Sequence, residues 1–144
     1  MKHSIVLVTL LAACGGKSQP HTQPMAPAVG TDPLTAQIDH GKQLYVGNCA
    51  KCHGAAGQGT KQGPPVVGKD AFPLDPRPNA KRDVKFHTAA DVFGWTTKHM
   101  PAKAPGSLKT DEYLAIFAFD LTANGVKLDK PLDGAAAGKI VLHP

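Results

Sequence analysis

Apolar side chains recur at helical spacing in three separate stretches of the chain, and each stretch predicts one helix. In the first, which covers positions 32–48, Asp32 is the expected N-cap and Pro33 the first helical residue. A glycine inside a helix costs about 1 kcal/mol relative to alanine, so we expect another helix to approach closely at Gly41. The apolar face of this helix comprises Leu34, Ile38, Gly41 and Tyr45.

The other two helices lie in the C-terminal half. The sequence TDEYLAIFAFDLTANG predicts a helix with Thr110 as its N-cap and with its end at Asn124 and Gly125. A shorter helix is predicted over TAADVFGWTTKH, where Thr88 and Asp91 form a capping box. The apolar face of the longer helix is formed by Leu114, Phe117, Ala118 and Leu121, and is widened by Tyr113, Ile116 and Phe119.

In the rest of the domain, the sequence pattern predicts loops and no strands. Residues 54–87 contain five prolines and no hydrophobic period, and the chain has no internal repeat. The prediction is therefore a small all-α domain with three main helices and long loops. A compact domain seldom tolerates so long a loop unless something organises it, and a large apolar cofactor would do so. After the last helix, the apolar residues Ile140, Val141 and Leu142 are expected to dock onto the domain.

The pattern of residues 1–13 predicts a signal peptide that is removed from the mature protein. A basic start precedes the apolar run IVLVTLLAA, which is too short to span a bilayer. The run ends in LAAC, and a leucine, two small residues and a cysteine resemble the lipobox of bacterial lipoproteins. In that family Cys14 would become the lipid-modified first residue of the mature protein. The alternative is an ordinary secretory signal with an incidental cysteine.

Residues 14–31 predict the lipid-modified Cys14 followed by a flexible tether, because they are rich in Pro, Gly, Gln and Thr and have no hydrophobic period. The folded domain then covers residues 32–144. The chain has three cysteines, and an exported chain normally leaves no thiol unpaired. Lipid on Cys14 would leave Cys49 and Cys52 as a pair. The predicted location is the periplasmic side of a bacterial membrane.

The chemistry of the domain is concentrated in the motif Cys49-x-x-Cys52-His53. A structural zinc site needs four ligands, and no second ligand pair follows at zinc-finger spacing. A thioredoxin-like dithiol needs a βαβ context, which the pattern lacks. Two thiols at this spacing can add to the two vinyl groups of one haem, with the adjacent histidine on the iron. The motif C-x-x-C-H therefore favours one covalently attached haem c.

The domain resembles the class I c-type cytochromes, through GKQLYVGNCAKCHGAAGQG at the attachment site and GPPVVG beyond it. The resemblance implies that the helix containing Gly41 and Tyr45 meets the C-terminal helix. It also implies that the carbonyl of Pro64 or Pro65 accepts a hydrogen bond from His53, which would fix the tautomer of the imidazole.

The resemblance extends to Met100-Pro101, which is similar to the distal methionine of that family and the proline after it. Met100 is implied as the second axial ligand, because Met1 is removed with the leader and Met25 lies in the tether. A histidine ligand or an open position is the alternative, and His99 is expected to face solvent. Arg77 and Trp95 are candidates to bind a haem propionate, against ordinary roles in the surface and the core.

Histidine–methionine ligation implies one-electron transfer, since both axial positions are filled and a thioether favours ferrous iron. The formal net charge of +5 includes lysines beside the methionine, which could steer an acidic redox protein toward the haem. A nucleic-acid partner is not expected in an exported haem protein. The predicted function is a membrane-tethered electron carrier. The alternatives are a dedicated subunit of a periplasmic dehydrogenase or oxidase and, less favoured, a haem sensor or peroxidase.

Overall fold

A computed structural model describes residues 32–78 and 80–143, so the predicted leader, Cys14 and tether lie outside the described residues. The described part is helical, and its only β-structure is an isolated bridge between Thr88 and Val141. The all-α prediction is therefore confirmed. None of its helices is long and apolar enough to cross a membrane. The helices are α1 (Pro33–Asn48), α2 (Ala50–His53), α3 (Ala89–His99), α4 (Thr110–Ala123) and α5 (Gly134–Lys139).

Helix α1 starts where the sequence predicts. The carboxylate of Asp32 accepts hydrogen bonds from the backbone N–H groups of Leu34 (3.0 Å) and Thr35 (3.1 Å). Pro33 occupies the first turn, where its missing N–H leaves no helical hydrogen bond unmade. The cap and the proline together fix the residue at which the helix begins.

Helices α1 and α4 form the main helix pair, and Gly41 is the point of closest approach. A Cβ atom at Gly41 would lie 1.8 Å from the carbonyl oxygen of Ala115, well inside any allowed contact. One turn further on, Tyr45 is 1% exposed and its ring lies 5.4 Å from that of Phe119. The predicted reason for Gly41 is therefore confirmed: no side chain fits between these backbones.

The ends of α3 and α4 follow the predicted capping, with one correction. The capping box of Thr88 and Asp91 is present, with the backbone N–H of Thr88 donating to Asp91 at 2.8 Å. Thr110, predicted as the N-cap of α4, is instead its first helical residue. The cap is Lys109, because Glu112 reaches back three residues and accepts from the Lys109 backbone N–H at 2.7 Å.

Helix α4 is buried on more sides than an amphipathic surface helix, because it packs against both α1 and α3. Its predicted apolar positions are in the core or packed against it, and one buried polar residue, Asp120, lies among them. The buried residues of α4 are Tyr113, Ala115, Ile116, Phe117, Ala118, Asp120 and Leu121.

The segment after α4 docks onto the domain, as predicted for Ile140 and Leu142, which pack against the core. The side-chain amide of Gln37 in α1 both donates to the carbonyl of Leu132 (2.9 Å) and accepts from its N–H (2.7 Å). The prediction was wrong for Val141, which is 59% exposed. The segment is extended there, so alternate side chains point to opposite sides and Val141 faces out.

Residues 54–87 form no helix or strand where they are described, and Arg82 holds part of this loop together. Its guanidinium is buried and donates to three backbone carbonyls, those of Pro73, Leu74 and Val84. The same group lies 3.7 Å from the centre of the Phe86 ring. A cation with many donors thus satisfies backbone carbonyls that no regular element pairs.

We expect Gly41→Ala to lower the free energy of unfolding by roughly 2–3 kcal/mol, because the new Cβ forces α1 and α4 apart. The matched control is Gly47→Ala in the same helix, where a Cβ meets nothing within 4 Å. That change should be neutral or stabilising by up to about 1 kcal/mol. Urea unfolding of the complete protein measures both. Equal effects of the two substitutions would contradict the close-approach argument.

Candidate cofactor site

The two motif cysteines lie on a single helical turn at the end of α1. Cys49 is the C-cap of α1, with its N–H bonded to the carbonyl of Tyr45 at 2.8 Å, and α2 follows directly. The N–H of Cys52 bonds back to the carbonyl of Cys49 at 3.0 Å. Residues three apart on a helix share a face, so the two thiols lie on the same side of the turn. Both are free and half-buried.

His53 ends this turn, and its imidazole is oriented by one hydrogen bond. The Nδ1 atom lies 2.7 Å from the carbonyl oxygen of Pro64. A carbonyl can only accept, so Nδ1 carries the proton and donates, which leaves Nε2 with a free lone pair. Of the two prolines named from the sequence, Pro64 is the acceptor. Pro65 packs against Gly59 instead.

The loop after the motif folds tightly back over it. Gly54 has φ +88°, a conformation that side chains disfavour, and its carbonyl accepts from the hydroxyl of Tyr45 at 2.8 Å. The Thr60 hydroxyl donates to the carbonyl of Cys52 at 2.6 Å. A Cβ at Gly63 would lie 3.2 Å from the His53 ring. The glycines thus allow the backbone to lie against the histidine.

Asn124, at the C-cap of α4, ties the far end of this loop to the helix pair. Its amide nitrogen donates to the carbonyl of Val66 at 2.8 Å, and its amide oxygen accepts from Gly68 at 2.9 Å. The carbonyl of Pro64 is consequently held between two anchored points, the motif and α4. The Pro64 carbonyl is therefore held in position as the hydrogen-bond acceptor of His53.

Met100 is placed by α3 and α4 together. It is the C-cap of α3, and its N–H bonds to the carbonyl of Thr96 at 2.8 Å. Its own carbonyl accepts from the hydroxyl of Tyr113 in α4 at 2.5 Å. His99 is exposed, as predicted, and its ring stacks on Trp95 with centroids 4.5 Å apart and planes 12° apart. Met100 and His99 therefore have different surroundings despite being adjacent.

Trp95 in α3 carries a buried polar ring atom. Its indole Nε1 has no hydrogen-bond partner among the described residues. Leaving a buried donor unpaired costs about 1–3 kcal/mol, so the indole N–H fits a site where a further molecule supplies an acceptor. Arg77, the other candidate, donates to the carbonyl of Asp70 and is half-buried. Arg82 is occupied by the three carbonyls described above.

Asp120 was not predicted as part of the site. It is 5% exposed on α4, and no group of the described residues bonds to its Oδ1 atom. Burial raises the pKa of this carboxyl to about 8. Burial also raises the pKa of the Cys49 thiol to about 12, with further contributions from the charges of Asp120 and Cys52. The sequence contains one acidic residue inside the apolar run YLAIFAFDL. Helix periodicity alone does not show whether that residue is buried or exposed.

The residues present fit a haem. The attachment turn offers two thiols and an imidazole with a free Nε2, and Trp95 in α3 offers an indole N–H that has no partner among the described residues. An all-helical fold whose first helix leads into such a turn is that of a small c-type cytochrome. The chain belongs to the family described as "Cytochrome C oxidase, cbb3-type, subunit III", whose model matches residues 36–119. It is accordingly an electron-carrying cytochrome c domain, and the family implies haem c.

Two relatives agree with this assignment. A stretch of 40 residues is 52% identical to the thiosulfate dehydrogenase of Stutzerimonas stutzeri (strain A1501), covering 24% of this chain and 13% of that protein. The fold matches a chain of the crystal structure of the sulfane dehydrogenase SoxCD from Paracoccus pantotrophus, with a TM-score of 0.56 and 30% identity. That match covers 73% of this chain and 52% of the other. The chain thus spans only part of either relative.

We expect Tyr113→Phe to lower the free energy of unfolding by about 1–2 kcal/mol and to release the segment after α3, because Met100 loses its link to α4. Hydrogen exchange of the amides in residues 100–109 should speed up. Tyr45→Phe is the control, since it removes a comparable hydrogen bond to Gly54 on the other side of the motif. Unchanged exchange after Tyr113→Phe would show that this bond does not hold the segment.

Proposed function

We propose that this protein is a one-electron carrier whose single haem c is attached through Cys49 and Cys52, with His53 and Met100 as axial ligands. The observation that carries the proposal is the hydrogen bond from His53 Nδ1 to the Pro64 carbonyl, 2.7 Å long, beside two free thiols. This arrangement prepares the histidine to ligate through Nε2 and gives it added basicity.

When bound, the haem supplies an iron that changes oxidation state by one electron. The residues of the chain determine how it does so. His53 would keep its tautomer in both states because its acceptor, the Pro64 carbonyl, lies in a segment that Asn124 anchors at Val66 and Gly68. Met100 would supply a neutral thioether, which favours the ferrous state and fills the remaining axial position. Trp95 would donate its unpaired indole N–H to a propionate, with Arg77 as a further candidate.

The proposal places the domain on the periplasmic side of a bacterial membrane. The support is in the sequence: the apolar run before LAAC, Cys14 as the third cysteine, and the Pro- and Gly-rich residues up to position 31. Seventeen residues of such a tether would allow the domain to reach on the order of 20–30 Å from a lipid at Cys14. Redox proteins are the partners in this arrangement, and no nucleic-acid partner is included.

A second candidate function is that of a dedicated haem c subunit in a periplasmic dehydrogenase complex. The similarities to a thiosulfate dehydrogenase and to the sulfane dehydrogenase SoxCD favour it. Both relatives are dehydrogenases of sulfur compounds by name, so the electron donor we propose is an enzyme that oxidises reduced sulfur. The chain itself would carry the electrons away from that enzyme.

Replacing Met100 by alanine tests the axial ligands. We expect the holoprotein to lose the charge-transfer band of ferric methionine-ligated haem and to bind CO when reduced. The reduction potential should fall, since axial ligands shift haem potentials over a range of about 0.8 V. Met25→Ala, which removes a thioether from the predicted tether, should leave the spectrum and the potential unchanged. A band that survives in Met100→Ala would overturn the assignment.

Replacing Cys14 by serine tests the anchor. The native chain should fractionate with membranes and the variant with the soluble periplasmic proteins, because the lipid attachment site is gone. Intact mass after detergent extraction reads the lipid directly. Extraction of the native chain also distinguishes the two functions, since a subunit should elute with a dehydrogenase in fixed stoichiometry and a free carrier should elute alone. A native chain whose intact mass carries no lipid would exclude the anchor.

A further inference from the structure

Asp120 is a buried carboxyl group that neither the helix packing nor the ligation of the haem explains. It lies near the C-terminal end of α4, is 5% exposed, and its Oδ1 atom has no hydrogen-bond partner in the described part of the chain. An unpaired polar group in a helix interface costs stability, and an apolar side chain at this position would avoid that cost. A carboxyl group at this position therefore lowers the free energy of unfolding relative to an apolar side chain.

The surroundings of Asp120 connect it to the cofactor motif. The ring of its neighbour Phe119 lies 5.4 Å from that of Tyr45, and the carbonyl of Tyr45 accepts the N–H of Cys49 at 2.8 Å. Burial, and after it the charge of Asp120, raises the pKa of both the Tyr45 hydroxyl and the Cys49 thiol. Tyr45 does not donate to it, because that hydroxyl bonds to the Gly54 carbonyl. Asp120 thus lies in the interface of α1 and α4, beside the ring contact of the tyrosine that leads into the attachment turn.

Within residues 32–78 and 80–143, no salt bridge to Asp120 forms that would stabilise an ionised carboxylate. Burial is the one cause of the raised pKa of Asp120, and no Lys, Arg or His of the described residues contributes to lowering it. The titratable groups whose pKa responds to its charge are Tyr45 and Cys49, and a thioether at Cys49 would no longer titrate. The balance between the neutral and the ionised carboxyl is consequently sensitive to any new charge placed nearby.

We propose that Asp120 is a proton-binding site coupled to reduction of the haem, an inference that rests on the proposed attachment at Cys49. Ferric haem carries one more positive charge than ferrous haem, so it favours the carboxylate, and ferrous haem favours the neutral acid. One electron from the redox partner then arrives together with one proton from water, which binds a carboxylate oxygen of Asp120. Reoxidation releases the electron to the acceptor and the proton to water.

The sign of the pH dependence follows from this coupling. The proton affinity of Asp120 is higher in the reduced protein, so the reduction potential falls as pH rises through the interval between its two pKa values. Outside that interval the potential is flat. We expect the two proton affinities to differ by about tenfold, which corresponds to a total change of about 59 mV.

The test is a spectroscopic redox titration of the haem-loaded chain over a range of pH. The native protein should show the falling segment, and Asp120→Asn, which mimics the neutral acid, should be flat there. Asp111→Asn is the matched control, because it removes an exposed carboxylate from the first turn of the same helix and should keep the slope. Asp120→Leu provides a second variant if the amide disturbs folding, and it should also be flat.

A redox-difference infrared spectrum gives an independent readout. The native protein should show the carbonyl stretch of a protonated carboxyl that appears on reduction, and Asp120→Asn should lack it. A slope that persists in both Asp120 variants would assign the proton to another group, such as a haem propionate, and overturn the inference. A flat native titration would overturn it as well. Failure of the proposed function is distinguishable, because it would appear as missing covalent haem or missing methionine ligation in the native spectrum.

Discussion

The close approach of α1 and α4 at Gly41 is the constraint on which the rest of the domain depends. It fixes where α1 ends relative to α4, and the motif from Cys49 to His53 follows α1 without a break. The same pair of helices provides Tyr45, whose hydroxyl holds the Gly54 carbonyl, and Asn124, which holds the following loop. One glycine thus positions the attachment turn and the segment that orients its histidine.

The elements could be predicted from the sequence wherever a local rule decides the structure. Asp32, Pro33 and the capping box of Thr88 determine helix starts through neighbours within three residues, so those starts were predicted correctly. The role of Gly41 could also be anticipated, because a glycine inside an amphipathic helix is costly unless a backbone approaches it. At the start of α4 the N-cap is Lys109 and not Thr110, because the long side chain of Glu112 reaches the backbone N–H of Lys109.

What the sequence could not provide depends on contacts between distant segments. Whether Pro64 or Pro65 faces His53 is a matter of which carbonyl the loop turns inward, and adjacent prolines look alike in a sequence. Asp120 was absent from the sequence prediction, because helix periodicity does not show that this position of α4 is buried. The exposure of Val141 follows from its pairing with Thr88, more than fifty residues away.

Arg82 has a consequence for how the loop between α2 and α3 can evolve. Its guanidinium holds carbonyl groups, which every residue possesses, instead of particular side chains. The neighbouring positions are therefore free to change identity while this part of the loop keeps the shape that Arg82 stabilises. Lysine would be a poor replacement, since its ammonium lacks the planar fork that reaches several acceptors and stacks on Phe86. This geometry predicts that, among homologous chains, the residues around the arginine vary while the arginine itself is retained.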